Sequence, residues 1–268
     1  MRKPWCFSSR AASHAQLTAD ECKRWRRANL GVLSVLLAIP LLLSLMAWRT
    51  DWDLLLADAA FSRQTNGFPW RHAWLTEQFN HVILKRLFTL AALAFVAAAV
   101  WDLFSPRRWS WLRRFQLRVV ALSAIAVPLA ISIMKQMSDS HCPWDLQRYG
   151  GSEPYVRLFE ALPAGLAQGQ CMPAGHASSA LWMLSIAVFF VPRRLTRSAV
   201  VLAFFLALGL AVGWLQQLRG AHFLSHTLWS AWVALTIVML IATCIDRWPQ
   251  RVGALLRAND DLVEFKET

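Results

Sequence analysis

Six apolar blocks, each roughly as long as a bilayer-crossing helix, set what this 268-residue chain can become. They fall at about 29–48, 82–103, 115–134, 177–192, 199–217 and 227–245, and the fourth is the shortest. A hydrocarbon layer about 30 Å thick takes about 20 helical residues. A soluble domain would disperse its apolar residues around a core, whereas this chain, 56% hydrophobic, gathers them into runs. The pattern predicts an all-α, polytopic membrane protein with six transmembrane helices. The first block is too long and too far along the chain for a secretory signal, and no small-residue cleavage site follows it.

The distribution of charge orients the spans. The formal net charge is +12. Its basic residues crowd into Lys23, Arg24, Arg26 and Arg27, then Arg107 and Arg108, Arg113 and Arg114, Arg193 and Arg194, and the C-terminal tail. With six spans threaded in order, these clusters share one side. The positive-inside rule makes that side, and both termini, cytoplasmic, where the clusters also meet anionic headgroups. No basic stripe with interleaved aromatics lies elsewhere, so no nucleic-acid partner is expected. The chain divides into a basic cytoplasmic arm (1–28), a six-span domain (29–245) and a cytoplasmic tail (246–268).

Outward segments carry the rest of the polar interest. In the loop 49–80, Asp53–Phe61 is apolar on one face and suits a short helix on the membrane. Trp48, Trp52, Trp70 and Trp74 suit an interfacial belt. The loop 135–175 is the longest, and long loops in compact proteins are usually functional. A third segment, 218–226, is short. Cys6, Cys22 and Cys244 fall on the reducing side. Cys142 and Cys171 fall in one outward loop, where a disulfide persists; the alternative is two free thiols. Gly209 and Gly213 form a small-xxx-small pattern that marks close helix packing.

Two histidine segments stand at the ends of separate spans: Pro173-Ala174-Gly175-His176, and His222 with His226. An ionisable group at a membrane segment is a functional hypothesis by default. A helix starting after Pro173 would offer free N–H groups to an anion. Gly175 would allow close backbone approach, and His176 could pass a proton to a leaving oxygen. The plainer alternative is an ordinary helix start. His222 follows the corner Arg219-Gly220-Ala221, and a neutral imidazole is a nucleophile as well as a base. If the last span begins near His222, His226 shares its helix face and can accept its Nδ1–H. Protonation of His226 would remove that acceptor and depress activity at acid pH. The alternatives are two interfacial histidines without chemistry, or a zinc pair short of a third ligand unless Asp145 or His141 folds over. Lys135, ending the third span, is either a snorkelling anchor or, with Arg219, part of an anion site. Arg148 is a further phosphate candidate or a solvated loop charge.

The order of these segments resembles the type 2 phosphatidic acid phosphatase superfamily of integral-membrane lipid phosphatases, across roughly residues 29–245. That family's pattern reads Lys-x6-Arg-Pro, then Pro-Ser-Gly-His, then Ser-Arg-x5-His-x3-Asp. Lys135-x6-Cys142-Pro143 resembles the first part, with cysteine for arginine. Pro173-Ala174-Gly175-His176 resembles the second, with alanine for serine. His222-x3-His226 resembles the end of the third, with histidine for aspartate, while its serine and arginine fall on Leu215 and Gln216. The two missing arginines remove two bidentate phosphate clamps, and Arg219 and Arg148 are near enough in sequence to replace them.

The resemblance implies metal-independent, cofactor-free phosphoryl chemistry through a phosphohistidine. His222 would attack phosphorus and His176 would protonate the leaving group. Lys135 and the backbone of Ala174 and Gly175 would hold the equatorial oxygens. The implied partners are the bilayer and a phosphorylated lipid of the phosphatidic acid, isoprenyl diphosphate or lipid A type. The implied place is the periplasmic face of a bacterial inner membrane. Water is the expected acceptor. A lipid acceptor, making a phosphotransferase, shares the first half-reaction. A non-catalytic lipid-phosphate binder or a transporter is the remaining reading, and no inverted repeat supports transport. The oligomeric state stays open.

Overall fold

The computed structural model describes residues 19–104, 109–158, 160–191 and 193–267, with backbone alone at 19–26, 28, 29, 111 and beyond 245. Cys6, the start of the basic arm, Arg107 and Arg108 lie outside the described residues. Among the described residues there is no strand, and pairing is limited to two isolated bridges, Ser62 with Gly67 and Leu146 with Glu153. The helices are α1 (Ala19–Arg49), α2 (Trp52–Ala60), a π-helical segment Leu75–Leu84 running into α3 (Lys85–Phe104), and α4 (Trp111–Gln136). They continue as α5 (Gly175–Leu181), extended by a 3-10 segment Trp182–Phe190, then α6 (Leu195–Leu218) and α7 (Leu224–Glu267).

Five stretches among the described residues are long and apolar enough to cross a membrane: Leu30–Arg49, Leu75–Phe104, Leu112–Gln136, Leu195–Leu218 and Leu224–Ile245. The fourth expected span is shorter, Gly175–Phe190. Its seven α and nine 3-10 residues reach about 28 Å all the same, because a 3-10 turn rises about 2.0 Å per residue against about 1.5 Å in an α-helix. The second stretch begins at Leu75, inside what reads as loop. Thr76, Asn80 and His81 interrupt the hydropathy there. Thr76 and Asn80 are buried against protein, and the Asn80 amide donates to Val212 O at 3.1 Å.

One core runs through α4, α5, the 3-10 segment, α6 and α7, with Val119, Val127, Ile131, Leu181, Trp182 and Leu184 almost wholly buried. Leu37, Leu41 and Leu42 on α1 and Leu87, Leu90 and Leu93 on α3 are exposed, as apolar solvent permits. The Gln116 amide on α4 donates to Val188 O and Val191 O at 3.1 and 3.2 Å. It thereby satisfies carbonyls at the end of the 3-10 run. The small-residue pair on α6 sits at two contacts. A Cβ on Gly209 would lie 2.3 Å from Leu181 of α5, and one on Gly213 would lie 2.2 Å from Thr227 of α7.

A second, smaller core of Ala57, Phe68, Leu146, Tyr149 and Phe223 covers the histidine end of the bundle. Here α2 departs from the expected surface helix. It packs on α6 and α7, buries Ala57 completely, and leaves Trp52 and Leu55 exposed. Asp53 on α2 accepts the backbone N–H of Ser225 at 2.9 Å. It therefore satisfies an orphan donor at the start of α7, as a cap supplied from another helix. Burial pushes the Asp53 carboxyl above its ordinary range, while hydrogen bonds from Ser225 and the Leu224 backbone pull it back.

Gly213→Ala should lower the thermal midpoint in detergent, by an amount equivalent to about 1–3 kcal/mol of overpacking. Thr227 is β-branched and buried and cannot swing aside. An unchanged midpoint would refute the tight α6–α7 contact.

Candidate active site

The chain turns a tight corner between α6 and α7. Gly220 has φ +74°, and a Cβ there would lie 2.4 Å from the Phe68 ring, so both conformation and space call for glycine. The corner is tied on two sides: Ala221 N–H donates to Gln216 O, and Trp144 N–H donates to Gly220 O, each at 3.0 Å. His222 follows directly and is 1% exposed.

The start of α5 is placed against α7 by backbone groups. Ala174 N–H donates to His226 O at 3.1 Å, and Ala174 O accepts from Ser230 Oγ at 3.1 Å. This brings His176, in the first turn of α5, to His222, with His176 Nδ1 3.4 Å from His222 Nε2. Lys135, in the last turn of α4, runs its stem past Gly175. Its Cδ lies 3.9 Å from where a Cβ on that glycine would stand. Lys135, Gly175, His176 and His222 are thus brought together from α4, α5 and the corner between α6 and α7. The Ala174 N–H expected to face phosphate is engaged by His226 O instead, because the residue lies just ahead of α5 and is bound to α7.

On its far side His222 meets a disulfide and not the expected histidine partner. Cys142 and Cys171 form a disulfide, with Cα atoms 5.3 Å apart. Cys171 Sγ lies 3.4 Å from His222 Nδ1. The expected hydrogen bond from His222 Nδ1 to His226 is absent. His226 Nε2 pairs with Ser140 Oγ at 3.1 Å, its Nδ1 has no partner, and the two rings stand 5.9 Å apart. The reason is register. The helix starts at Leu224, so His222 precedes it and the two histidines do not share a helix face. The acid sensitivity expected from His226 loses its basis with that bond. Cys142, Cys171 and His222 offer ligand atoms within 4.8 Å of one another, but sulfurs bonded to each other are not the thiolates a metal takes. Burial pushes the His222 imidazole well below its ordinary 6.5; His226, His176 and Lys135 push the same way, and a backbone hydrogen bond with Cys171 opposes them.

Of the two arginines expected to compensate for the missing pair, one is near and one is not. Arg219, 8% exposed, donates from Nε to Arg71 O at 3.0 Å and from a terminal nitrogen to Gln216 Oε1 at 3.1 Å. Glu77 stands 3.7 Å from it. A guanidinium one turn beyond Gln216 is therefore held by the residue at the family's arginine position. Arg148 is a correction. It makes a two-pronged pair with Asp58 at 2.7 and 2.6 Å, Tyr149 OH joins the same carboxylate at 2.9 Å, and no contact links it to the histidines. Its charge is used to fasten the long loop to α2.

Sequence reasoning missed His81. It sits in the π-helical segment, and its ring centroid is 4.5 Å from that of His176. The usable signal was an imidazole at the edge of an apolar run, the same signal that singled out His176. It was lost because residues 49–80 read as loop and the run as starting at 82.

A model of the PAP2 superfamily matches residues 116–250, about half of the chain, spanning α4 to α7 and every motif segment named above. No curated protein and no solved structure matches the chain.

Because its pKa is depressed, His222 should stay neutral as pH falls through 6.5. Ring carbon shifts of labelled histidine, assigned by their loss in His222→Gln, should hold their neutral values there; imidazolium shifts with a midpoint at or above that pH would contradict the burial. Thiol labelling of the unreduced protein should mark exposed Cys244 and spare Cys142 and Cys171. Labelling of either before reduction would remove the disulfide behind His222.

Proposed function

The chain belongs to the PAP2 superfamily, and on that premise we propose that it hydrolyses a phosphate monoester or diphosphate carried by a membrane lipid, through a phosphohistidine. The observation that carries this reading is the 3.4 Å approach of His176 Nδ1 to His222 Nε2. A nucleophile and an acid need to reach one phosphoryl group from two sides, and geometry outranks all else in naming them. Burial of His222 favours the neutral form that attacks.

In the first half-reaction the His222 Nε2 lone pair attacks phosphorus. The bond to the leaving oxygen breaks, and that oxygen takes a proton from His176. Lys135 and the Gly175 N–H neutralise and orient the equatorial oxygens, and Arg219 adds positive charge from the corner. In the second half-reaction water attacks phosphorus, gives its proton back to His176, and the P–N bond breaks. Every proton is accounted for within the His176–His222 pair, so the cycle calls for no metal or cofactor. A lipid hydroxyl in place of water would make the same enzyme a phosphotransferase.

The reading extends to topology. Gly175–Phe190 serves as the sixth crossing, both termini are cytoplasmic, and the site opens to the periplasmic side of a bacterial inner membrane. Support comes from the described charge clusters: Arg113 and Arg114 start α4 and Arg193 and Arg194 precede α6, at the helix ends remote from His176 and His222. Phosphatidic acid, isoprenyl diphosphate and lipid A phosphate are the substrate classes proposed.

Purified protein in detergent with a chelator should release phosphate from one of these lipids. His222→Ala should abolish release, and His176→Ala should lower turnover by about 100-fold to 10,000-fold. Phosphate release retained by His222→Ala would overturn the mechanism, and no release from any of the three classes would overturn the function.

A further inference from the structure

His81 has no part in the chemistry just described, yet it is built into its edge. Its ring is 4.5 Å, centroid to centroid, from that of His176, and the ring of His176 is in turn 5.6 Å from that of His222. His176 is the member common to both pairs. The Nδ1 of His81 is buried and has no hydrogen-bond partner. Such a group in a native interior calls for an explanation, and a catalytic setting is one that the neighbouring His176 supplies. A ring wanted for packing alone would be phenylalanine.

The backbone supports the same assignment. His81 lies in a π-helical segment, a geometry that recurs at functional sites. This segment sends Asn80 to Val212 O and brings the Thr76 carbonyl to the Gln216 amide, so its inner face is pinned to α6 while His81 meets α5. The charged groups facing His81 are Arg219 from the corner and Lys85 and Glu77 from its own helix. Those facing His176 are His81, Lys135, Lys85 and Arg219. The two imidazoles share a cationic setting that suits a phosphate ester and its departing oxygen.

We propose that His81 is a positioning residue for proton donation by His176, holding that imidazole toward the leaving oxygen while the P–O bond breaks. The proton travels from His176 to the leaving oxygen, the new bond is P–N to His222, and His81 itself neither gains nor loses a proton over the cycle. This rests on the phosphohistidine reading above. It adds to it a dependence on the leaving group: His81 matters where the departing oxygen needs a proton and not where it is stable as an anion.

The test compares a long-chain alkyl phosphate with an aryl phosphate of matched chain length that carries a nitro-substituted phenol. His81→Phe, which keeps a ring of similar size, should lose about tenfold or more in turnover on the alkyl ester, little on the aryl ester, and leave KM unchanged on both. His81→Gln, which keeps a polar group, should recover part of the alkyl loss. Equal losses on both esters, or wild-type rates from His81→Phe, would overturn the proposal in favour of packing. If His81→Phe fails to elute as a single species, the His81→Gln ratio between the two esters decides alone: a wild-type ratio refutes the role, and a selective alkyl loss supports it. His222→Ala run alongside separates the two readings. Activity in that variant sinks the phosphohistidine mechanism, whereas an inactive His222→Ala with indifferent His81 variants sinks this proposal only.

Discussion

The hydrogen bonds from Ala174 N–H to His226 O and from Ser230 Oγ to Ala174 O hold the rest of the site in register. They join the start of one helix to the first turns of another, and the approach of His176 to His222 follows from where they place α5. In an apolar surrounding such bonds have no water to compete with them, and breaking one leaves polar groups without replacements. The same need explains the other cross-links of this bundle: Gln116 on the 3-10 carbonyls, Asn80 on Val212, Asp53 on Ser225. Gln116 and Asp53 answer backbone groups at helix ends that their own helices leave unpaired, and Asn80 reaches a carbonyl within α6.

The region above the helix ends works by different physics. Its small core of Phe68, Leu146, Tyr149 and Phe223 is aromatic-rich, with Phe61, Phe68 and Tyr149 in mutual contact at 5.2–5.4 Å. Arg148 and Asp58 close its rim by two charge-assisted hydrogen bonds. Being exposed, that pair contributes modestly to stability and more to register. The lower bundle is held by hydrogen bonds shielded from water, and the cover by ring packing. His222 lies at the boundary, with Phe223 in the cover and Ser225 already in α7.

Much of the bundle was legible in the sequence because hydropathy reports directly what a bilayer demands. The beginning of the second crossing was not. Thr76, Asn80 and His81 carry polarity that faces protein, and a hydropathy window cannot tell an inward polar residue from a loop. The short fourth block read as marginal because residue count is a poor ruler when part of the helix is 3-10. At the site, Lys135, Gly175, His176 and His222 were legible from motif order. The relation of His226 to His222 was not, since it depended on a helix starting two residues later than the spacing suggested. Arg148 was misread for another reason: its partner Asp58 lies ninety residues away, and nothing local marks a charge as already neutralised.

The disulfide has a consequence for what this protein can become. Cys142 and Cys171 turn the residues between them into a ring closed at a neck, and the neck is the part that touches His222. Chain added or removed on the ring's far rim, near 160–167, is separated from His222 by a covalent bond. The rim is thus open to variation in length and composition over evolutionary time, while the neck keeps its seat against His222.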